Sequence, residues 1–329
     1  TDRKKSGADG GKRKIGLYRE KRRAQMKKKL INIFLAGLIL SVTGCGNTEN
    51  NSAGGIQPQT EKSSGDTVQE AEGGEMSEET SEGTNGSGSV TEGTEVYRGF
   101  IMDNVLHSES DGDIHYHVHI PESYDGSEPY ALFFTLPGYE GLYFQGVGEN
   151  LYSEDFVFTA QEYVEDMIIV APQLSDWGET SADQTIALVE YFLKKYNIDR
   201  SRVYGEGYSG GGETMSLVMG KRPELFTAYL QCSSQWDGAY EPVAESRTAV
   251  RFVIGEEDEY YGSEPSREAY NTLHDLYEEE GLSQEEIDEL LVLDIKDEDY
   301  FTSQGVAYQH GGGNLFAEDD QVMGWLFSK

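Results

Sequence analysis

Residues 201–220 read Ser-Arg-Val-Tyr-Gly-Glu-Gly-Tyr-Ser-Gly-Gly-Gly-Glu-Thr-Met-Ser-Leu-Val-Met-Gly, and their reading decides the fold. They contain Gly207-Tyr208-Ser209-Gly210-Gly211, a G-x-S-x-G. Arg202-Val203-Tyr204 predicts a short buried strand ahead of it, and Thr214, Leu217 and Val218 begin a helical apolar spacing behind it. Strand, sharp turn with serine at the apex, then helix is the context that gives this motif chemical meaning. The serine then takes a strained backbone, and a Cβ at Gly207 or Gly211 would strike the neighbouring strand or helix. Gly205 to Gly210 also satisfies G-x-G-x-x-G. A dinucleotide site, however, needs an acidic residue closing a second strand about 20 residues on. Glu224 stands at that spacing, directly after Pro223, which is no strand end.

Working outward, antiparallel strands are expected over Tyr97 to Val105 and Ile114 to Ile120, with Ser108 to Gly112 as the turn. His115, His117 and His119 share one face of the second strand. That face could hold a metal, but it reads better as solvated, with Tyr116 and Val118 inward. Buried strands follow at Tyr130 to Leu136, Met167 to Ala171, Phe226 to Cys232, Ala249 to Ile254 and Leu291 to Ile295. Helices are expected over Ser153 to Val164, Ser181 to Tyr196, Ser266 to Glu280, Gln284 to Leu290 and Asn314 to Phe327. Alternating strands and helices after an antiparallel start predict an α/β fold with a mainly parallel sheet.

A serine needs a base, and the base needs a carboxylate to set its tautomer. In the chain order Ser…acid…His, only His274 and His310 follow Ser209. His274 lies in an acidic helix pattern, whereas His310 opens a glycine-rich loop before the last helix. For the acid, Asp258 follows a buried strand in Gly255-Glu256-Glu257-Asp258, and Asp237 is its rival. Tyr130 to Leu136 runs into Pro137-Gly138-Tyr139, where an oxyanion loop belongs, so the amides of Tyr139 and Gly210 are the candidate donors. Trp177 and Trp236 follow strand ends and are candidate substrate contacts. Cys232 reads as core packing.

With these residues in view, the chain resembles the α/β-hydrolase superfamily from about Tyr97 to Phe327. Within it, the chain resembles secreted serine esterases of the polyhydroxybutyrate-depolymerase and feruloyl or acetylxylan esterase type. Gly207-Tyr208-Ser209-Gly210-Gly211, Gly255-Glu256-Glu257-Asp258 and His310-Gly311 carry the likeness. One departure is Pro137-Gly138, where the family has His-Gly. The resemblance implies helices on both faces of the sheet, a triad Ser209–His310–Asp258, an acyl-enzyme, and no metal or organic cofactor.

The ends carry a different message. Met26-Lys27-Lys28-Lys29, the apolar run Leu30 to Leu40 and Val42-Thr43-Gly44-Cys45 resemble a bacterial lipoprotein signal with its lipobox. Residues 1–25 are expected to be a non-native translated leader ahead of a start at Met26, and Cys45 the lipidated first residue of the mature protein. That places the protein on the extracellular face of a bacterial envelope, touching the membrane only through Cys45. Residues 46–94 hold no aromatic residue and one basic one, Lys62, and read as a flexible tether. About 50 such residues span on the order of 40 Å. The folded domain is then 95–329.

Of the 26 Lys+Arg and 60 Asp+Glu, 13 and 3 lie up to Cys45, leaving a net charge of −44 beyond it. So acidic a surface excludes nucleic acid as partner. Three functions remain: an esterase on glycan-linked or aromatic esters, a serine peptidase of prolyl-oligopeptidase type, and a non-catalytic binding lipoprotein.

Overall fold

The computed structural model describes residues 88–329. The leader, the signal segment with Cys45 and the tether up to residue 87 lie outside the described residues. Among the described residues, ten strands build one sheet: β1 (Ser89–Thr91), β2 (Val96–Tyr97), β3 (Phe100–Ser108), β4 (Gly112–His119), β5 (Tyr130–Leu136), β6 (Met167–Pro172), β7 (Ile198–Tyr208), β8 (Ala228–Cys232), β9 (Ala249–Gly255) and β10 (Leu291–Lys296). Their spatial order is β1-β3-β4-β6-β5-β7-β8-β9-β10, with β2 paired to β3. The β1–β4 part and its junction with β6 are antiparallel. Every pairing from β6 through β5, β7, β8 and β9 to β10 is parallel.

Alternation along each strand divides the core in two. On β5, Leu132, Phe134 and Leu136 pack with Leu188, Val189 and Phe192 of the helix Glu179–Lys195 and Met215 and Val218 of the helix Gly210–Lys221. Ala131 and Phe133 face the other way, onto Phe156, Phe316, Val322 and Met323. All seven residues of β5 are buried, as expected of a central strand covered on both faces. Strand order reverses between β6, β5 and β7. The carboxyl ends of β5 and β7 at that reversal form the crevice where open α/β sheets place ligands. Ser209 directly follows β7, and Pro137 directly follows β5.

Four expectations need correction. The tether does not run to residue 94: Ser89–Thr91 pairs with Val105 to His107, and Val90 packs on the core. Ser153 to Val164 is not one helix. It is Glu149–Ser153 and Phe156–Ala160, broken at Glu154, which is extended at φ −122° and ψ 143°. Asn314 to Phe327 breaks at Asp319, whose carboxylate caps Gln321 and pairs with Lys296 at 3.0 Å. The histidine face of β4 is not all solvated, because His117 is fully buried. The Asp103 amide donates to its Nδ1 at 2.8 Å, so Nε2 carries the proton and donates to Gln173 Oε1 at 3.1 Å. Burial holds the ring neutral by lowering its pKa.

Candidate active site

Ser209 sits at the apex between β7 and the helix Gly210–Lys221 with φ 54° and ψ −125°. That left-handed backbone costs a non-glycine residue roughly 1–3 kcal/mol and persists only where the surroundings enforce it. Here the Ser209 amide donates to the Cys232 carbonyl at 3.0 Å, and Ser234 Oγ donates to the Ser209 carbonyl at 2.7 Å. A Cβ on Gly207 would lie 2.6 Å from the Gly211 carbonyl oxygen, and one on Gly211 would strike the Leu136 carbonyl. The motif glycines are therefore required by close backbone approach.

Side chains from three loops form a row: Ser209 and Asp258 follow the ends of β7 and β9, and His310 opens the short turn His310–Gly312. Ser209 Oγ lies 3.1 Å from His310 Nε2, and His310 Nδ1 lies 2.9 Å from Asp258 Oδ2 and 3.1 Å from Oδ1. Asp258 Oδ1 also accepts the Tyr260 and Tyr261 amides at 3.0 and 2.9 Å. Burial pushes the Asp258 carboxyl up, but the His310 hydrogen bond and these amides outweigh it and hold the pKa below the usual carboxylate range. The ionised carboxylate thus makes Nδ1 the donor and leaves Nε2 free to accept from serine. The rival Asp237 is exposed and engages Gln235 at 3.0 Å. His274 lies on the helix Glu264–Glu279 beside Gln284, away from this row.

The loop bearing His310 is gripped from two sides. Glu259 accepts the Gln309 and His310 amides at 3.1 and 3.0 Å, and the Glu257 amide donates to Gln309 Oε1 at 3.0 Å. The Tyr208 hydroxyl donates to the His310 carbonyl, and its ring stacks on the imidazole at 5.8 Å. Tyr260 stacks on the imidazole at 5.2 Å. Tyr208, the variable residue inside the motif, is a positioning side chain that the motif alone does not announce.

Tyr139 and Gly210 each open a helical turn, so their amides have no acceptor inside it. A Cβ on Gly138 would touch Ser209 Cβ at 3.3 Å, which puts the loop after β5 against the serine. Gln173 ties the rest of that loop down. It donates to the carbonyls of Gly141 and Gly146 at 3.1 and 2.7 Å and accepts the Gly148 amide at 2.9 Å.

The two tryptophans part company. Trp177 is 38% exposed and lies over Gly210, whose Cβ would come within 2.8 Å of its ring. Tyr139 packs edge-on against it at 5.8 Å, and Phe144 continues the exposed aromatic rim. Trp236 is not at the rim. It is buried, stacks on Tyr240 at 5.4 Å and donates its Nε1–H to the Gly238 carbonyl. A large ring after β8 finds the core between Tyr229 and Phe252 before it finds solvent. On the other side of Ser209, the Tyr261 hydroxyl donates to Glu213 at 2.9 Å and also lies beside the serine hydroxyl. Burial and the Glu213 carboxylate keep that phenol protonated.

Glu206, three residues before Ser209, is fully buried and accepts from Thr135 Oγ1 at 2.6 Å. Burial pushes its pKa up to about 8. Between the ordinary carboxylate range and about 8, the folded state holds a proton that the unfolded chain releases, so this residue makes stability fall as pH rises through that window. Glu206→Gln removes the dependence. The variant is expected to be little changed at pH 5 and more stable by roughly 4 kcal/mol at pH 8. Urea unfolding at both pH values measures this, and a gain equal at both would refute it. Cys232 beside it is a free, buried thiol, pushed up in pKa by burial, and so serves packing.

The prolyl oligopeptidase family matches residues 174–307, which include Ser209 and Asp258. No curated protein matches the chain in sequence. Among solved structures, a thermostable esterase is similar at 20% identity and a TM-score of 0.56, over 70% of this chain and 63% of its own. Oligopeptidase B from Leishmania major is 12% identical with a TM-score of 0.45, over 69% of this chain and 37% of its own. The S-formylglutathione hydrolase of Staphylococcus aureus is 12% identical with a TM-score of 0.49, over 71% of this chain and all of its own. The chain therefore spans less than two thirds of the thermostable esterase and of the oligopeptidase. The fold is that of the α/β-hydrolases.

Proposed function

We propose that the protein is a serine hydrolase that cleaves carboxylic esters through an acyl-enzyme. The observation that carries the reading is the row Ser209–His310–Asp258, with the serine at φ 54° on the turn into the helix Gly210–Lys221. Ser209 Oγ attacks the ester carbonyl while His310 Nε2 takes its proton. Asp258 holds the imidazolium that forms. The amides of Tyr139 and Gly210 receive the charge that develops on the carbonyl oxygen. His310 returns the proton to the leaving alcohol, which departs as the acyl-enzyme forms. Water, activated by His310, then adds to the acyl carbon, and the acid leaves with Ser209 restored. No metal or organic cofactor enters these steps.

The exposed rim of Tyr139, Phe144 and Trp177 beside the serine supports a flat substrate group, the acid of an aromatic ester or a sugar ring. Anchorage through lipidated Cys45 on the outer face of a bacterial envelope belongs to the same proposal. Incorporation of a labelled fatty acid that requires Cys45 would test it. The match to the prolyl oligopeptidase family favours a second reading, peptidase activity.

A panel of p-nitrophenyl acyl esters and peptide anilides separates the two, with fluorophosphonate labelling mapped to Ser209. Ester turnover with labelling is the expected result. Anilide cleavage without ester turnover would select the peptidase, and folded protein that takes no label would leave neither standing.

A further inference from the structure

We propose that Glu154 is a positioning residue for the oxyanion-binding loop, its carboxyl group being the acceptor that fixes the Gly138 amide and so the direction of the Tyr139 N–H. The inference rests on the reading of Ser209 as nucleophile and deepens it. It begins where the sequence departs from the family it resembles, with Pro137-Gly138 at the head of this loop.

Gly138 has to be glycine for space, because a Cβ there would meet the Tyr208 ring at 3.1 Å and Ser209 Cβ at 3.3 Å. Without a side chain it is a free joint at the head of the loop, and the peptide that follows it carries the Tyr139 N–H. Two hydrogen bonds remove that freedom. Glu154 Oε1 accepts the Gly138 N–H at 2.8 Å, and the Gly138 carbonyl accepts the Gly141 N–H at 3.0 Å. The carbonyl belongs to the same planar unit as the Tyr139 N–H, so fixing one aims the other in the opposite direction. The break between the helices Glu149–Ser153 and Phe156–Ala160 exists at the residue that makes the first of these bonds.

Glu154 is an expensive residue to keep there. It is 8% exposed, and no basic side chain among the described residues forms an ion pair with it. It borders a water-sized cavity shared with Thr135, Pro137 and Asn150. Burial, then the nearby Glu206 carboxyl, push its pKa well up, against the pull of the Gly138 amide. Glu140 and Asp155 add to the rise. In its neutral form it still accepts the amide through its carbonyl oxygen, and it puts no negative charge behind an oxyanion. A buried acid with one backbone bond and no ion pair is poor stability design. It is good placement for a group whose task is to hold one amide still.

Two variants of the purified full-length protein test this. Glu154→Gln keeps the shape and the carbonyl acceptor, and Glu154→Met keeps the bulk alone. With a p-nitrophenyl ester, Glu154→Met is expected to lower kcat about 100-fold with KM within about threefold, the size expected for an oxyanion donor set out of line. The rate of fluorophosphonate labelling of Ser209 should fall in step, and Glu154→Gln should stay within about threefold of wild type in both. A folded Glu154→Met protein with wild-type kcat overturns the inference. So does a Glu154→Gln protein as impaired as the methionine variant, and that arm still decides if Glu154→Met fails to fold. Wild-type protein that neither hydrolyses esters nor takes the label would overturn the proposed function itself, and this inference with it.

Discussion

Ser209→Ala is expected to abolish ester turnover, lowering kcat by about a millionfold, to the level set by binding and the oxyanion site alone. The size follows from the row of groups. In the acylation step His310 and Asp258 act on the proton that Ser209 supplies, and without an acyl-enzyme no later step follows, so removing the hydroxyl idles all three. The structure should survive the change. Alanine keeps the Cβ, so the backbone at φ 54° is neither relieved nor further strained. The bonds from the Ser209 amide to Cys232 and from Ser234 to the Ser209 carbonyl are untouched. Initial rates with a p-nitrophenyl ester and a thermal unfolding curve measure both halves. An alanine variant that retains a few per cent of the rate would mean another residue is the nucleophile.

Asp258→Asn is expected to cost about 10⁴ in kcat while the fold stays intact. The reason is a tautomer. Asp258 accepts from His310 Nδ1 and so leaves Nε2 as the acceptor facing serine. An asparagine can turn its amide N–H₂ toward Nδ1. The ring proton then moves to Nε2, where it points at the serine oxygen and blocks proton transfer. Because the side-chain carbonyl of asparagine can still accept from the Tyr260 and Tyr261 amides, the loop should keep its shape. Parallel kinetics of Asp258→Asn and Asp237→Asn check the assignment. A larger loss in the Asp237 variant would move the acid to the exposed position after β8.

Much of this site was legible because its parts are local. Gly207 to Gly211 needs only a strand before it and a helix after it, and both lie within 20 residues of Ser209. Chain order reduced the histidines to two, and the glycine-rich setting of His310 separated it from His274. The Gly-x-x-Asp setting favours Asp258 over Asp237, but pattern leaves Asp237 as a rival, since each follows a strand. Only the three-dimensional reach of His310 decides between them. Glu154, Gln173 and His117 were illegible for a different reason. Each is a polar residue buried by contacts distant in sequence, such as the 56-residue separation of His117 and Gln173. A glutamate turned inward looks the same in a sequence as one turned to water, in a chain with 60 acidic residues. Trp236 failed in the opposite sense, because the strand end was right and the direction of the ring was not.

The grip of Glu259 on the Gln309 and His310 amides, returned by Gln309 on the Glu257 amide, has a consequence for motion. The segment that carries the acid and the segment that carries the base are stitched into one body, so neither can fray alone. Thermal opening of this corner should therefore be all-or-none, a single local unfolding unit in the sense of native-state exchange. The amides of Glu257, Tyr260, Tyr261, Gln309 and His310 are expected to exchange with solvent at one common opening free energy. Scattered values would show that the two segments move independently. A corner that opens only as a whole spends its closed time with acid and base already aligned, and each encounter with substrate finds the alignment complete or wholly absent.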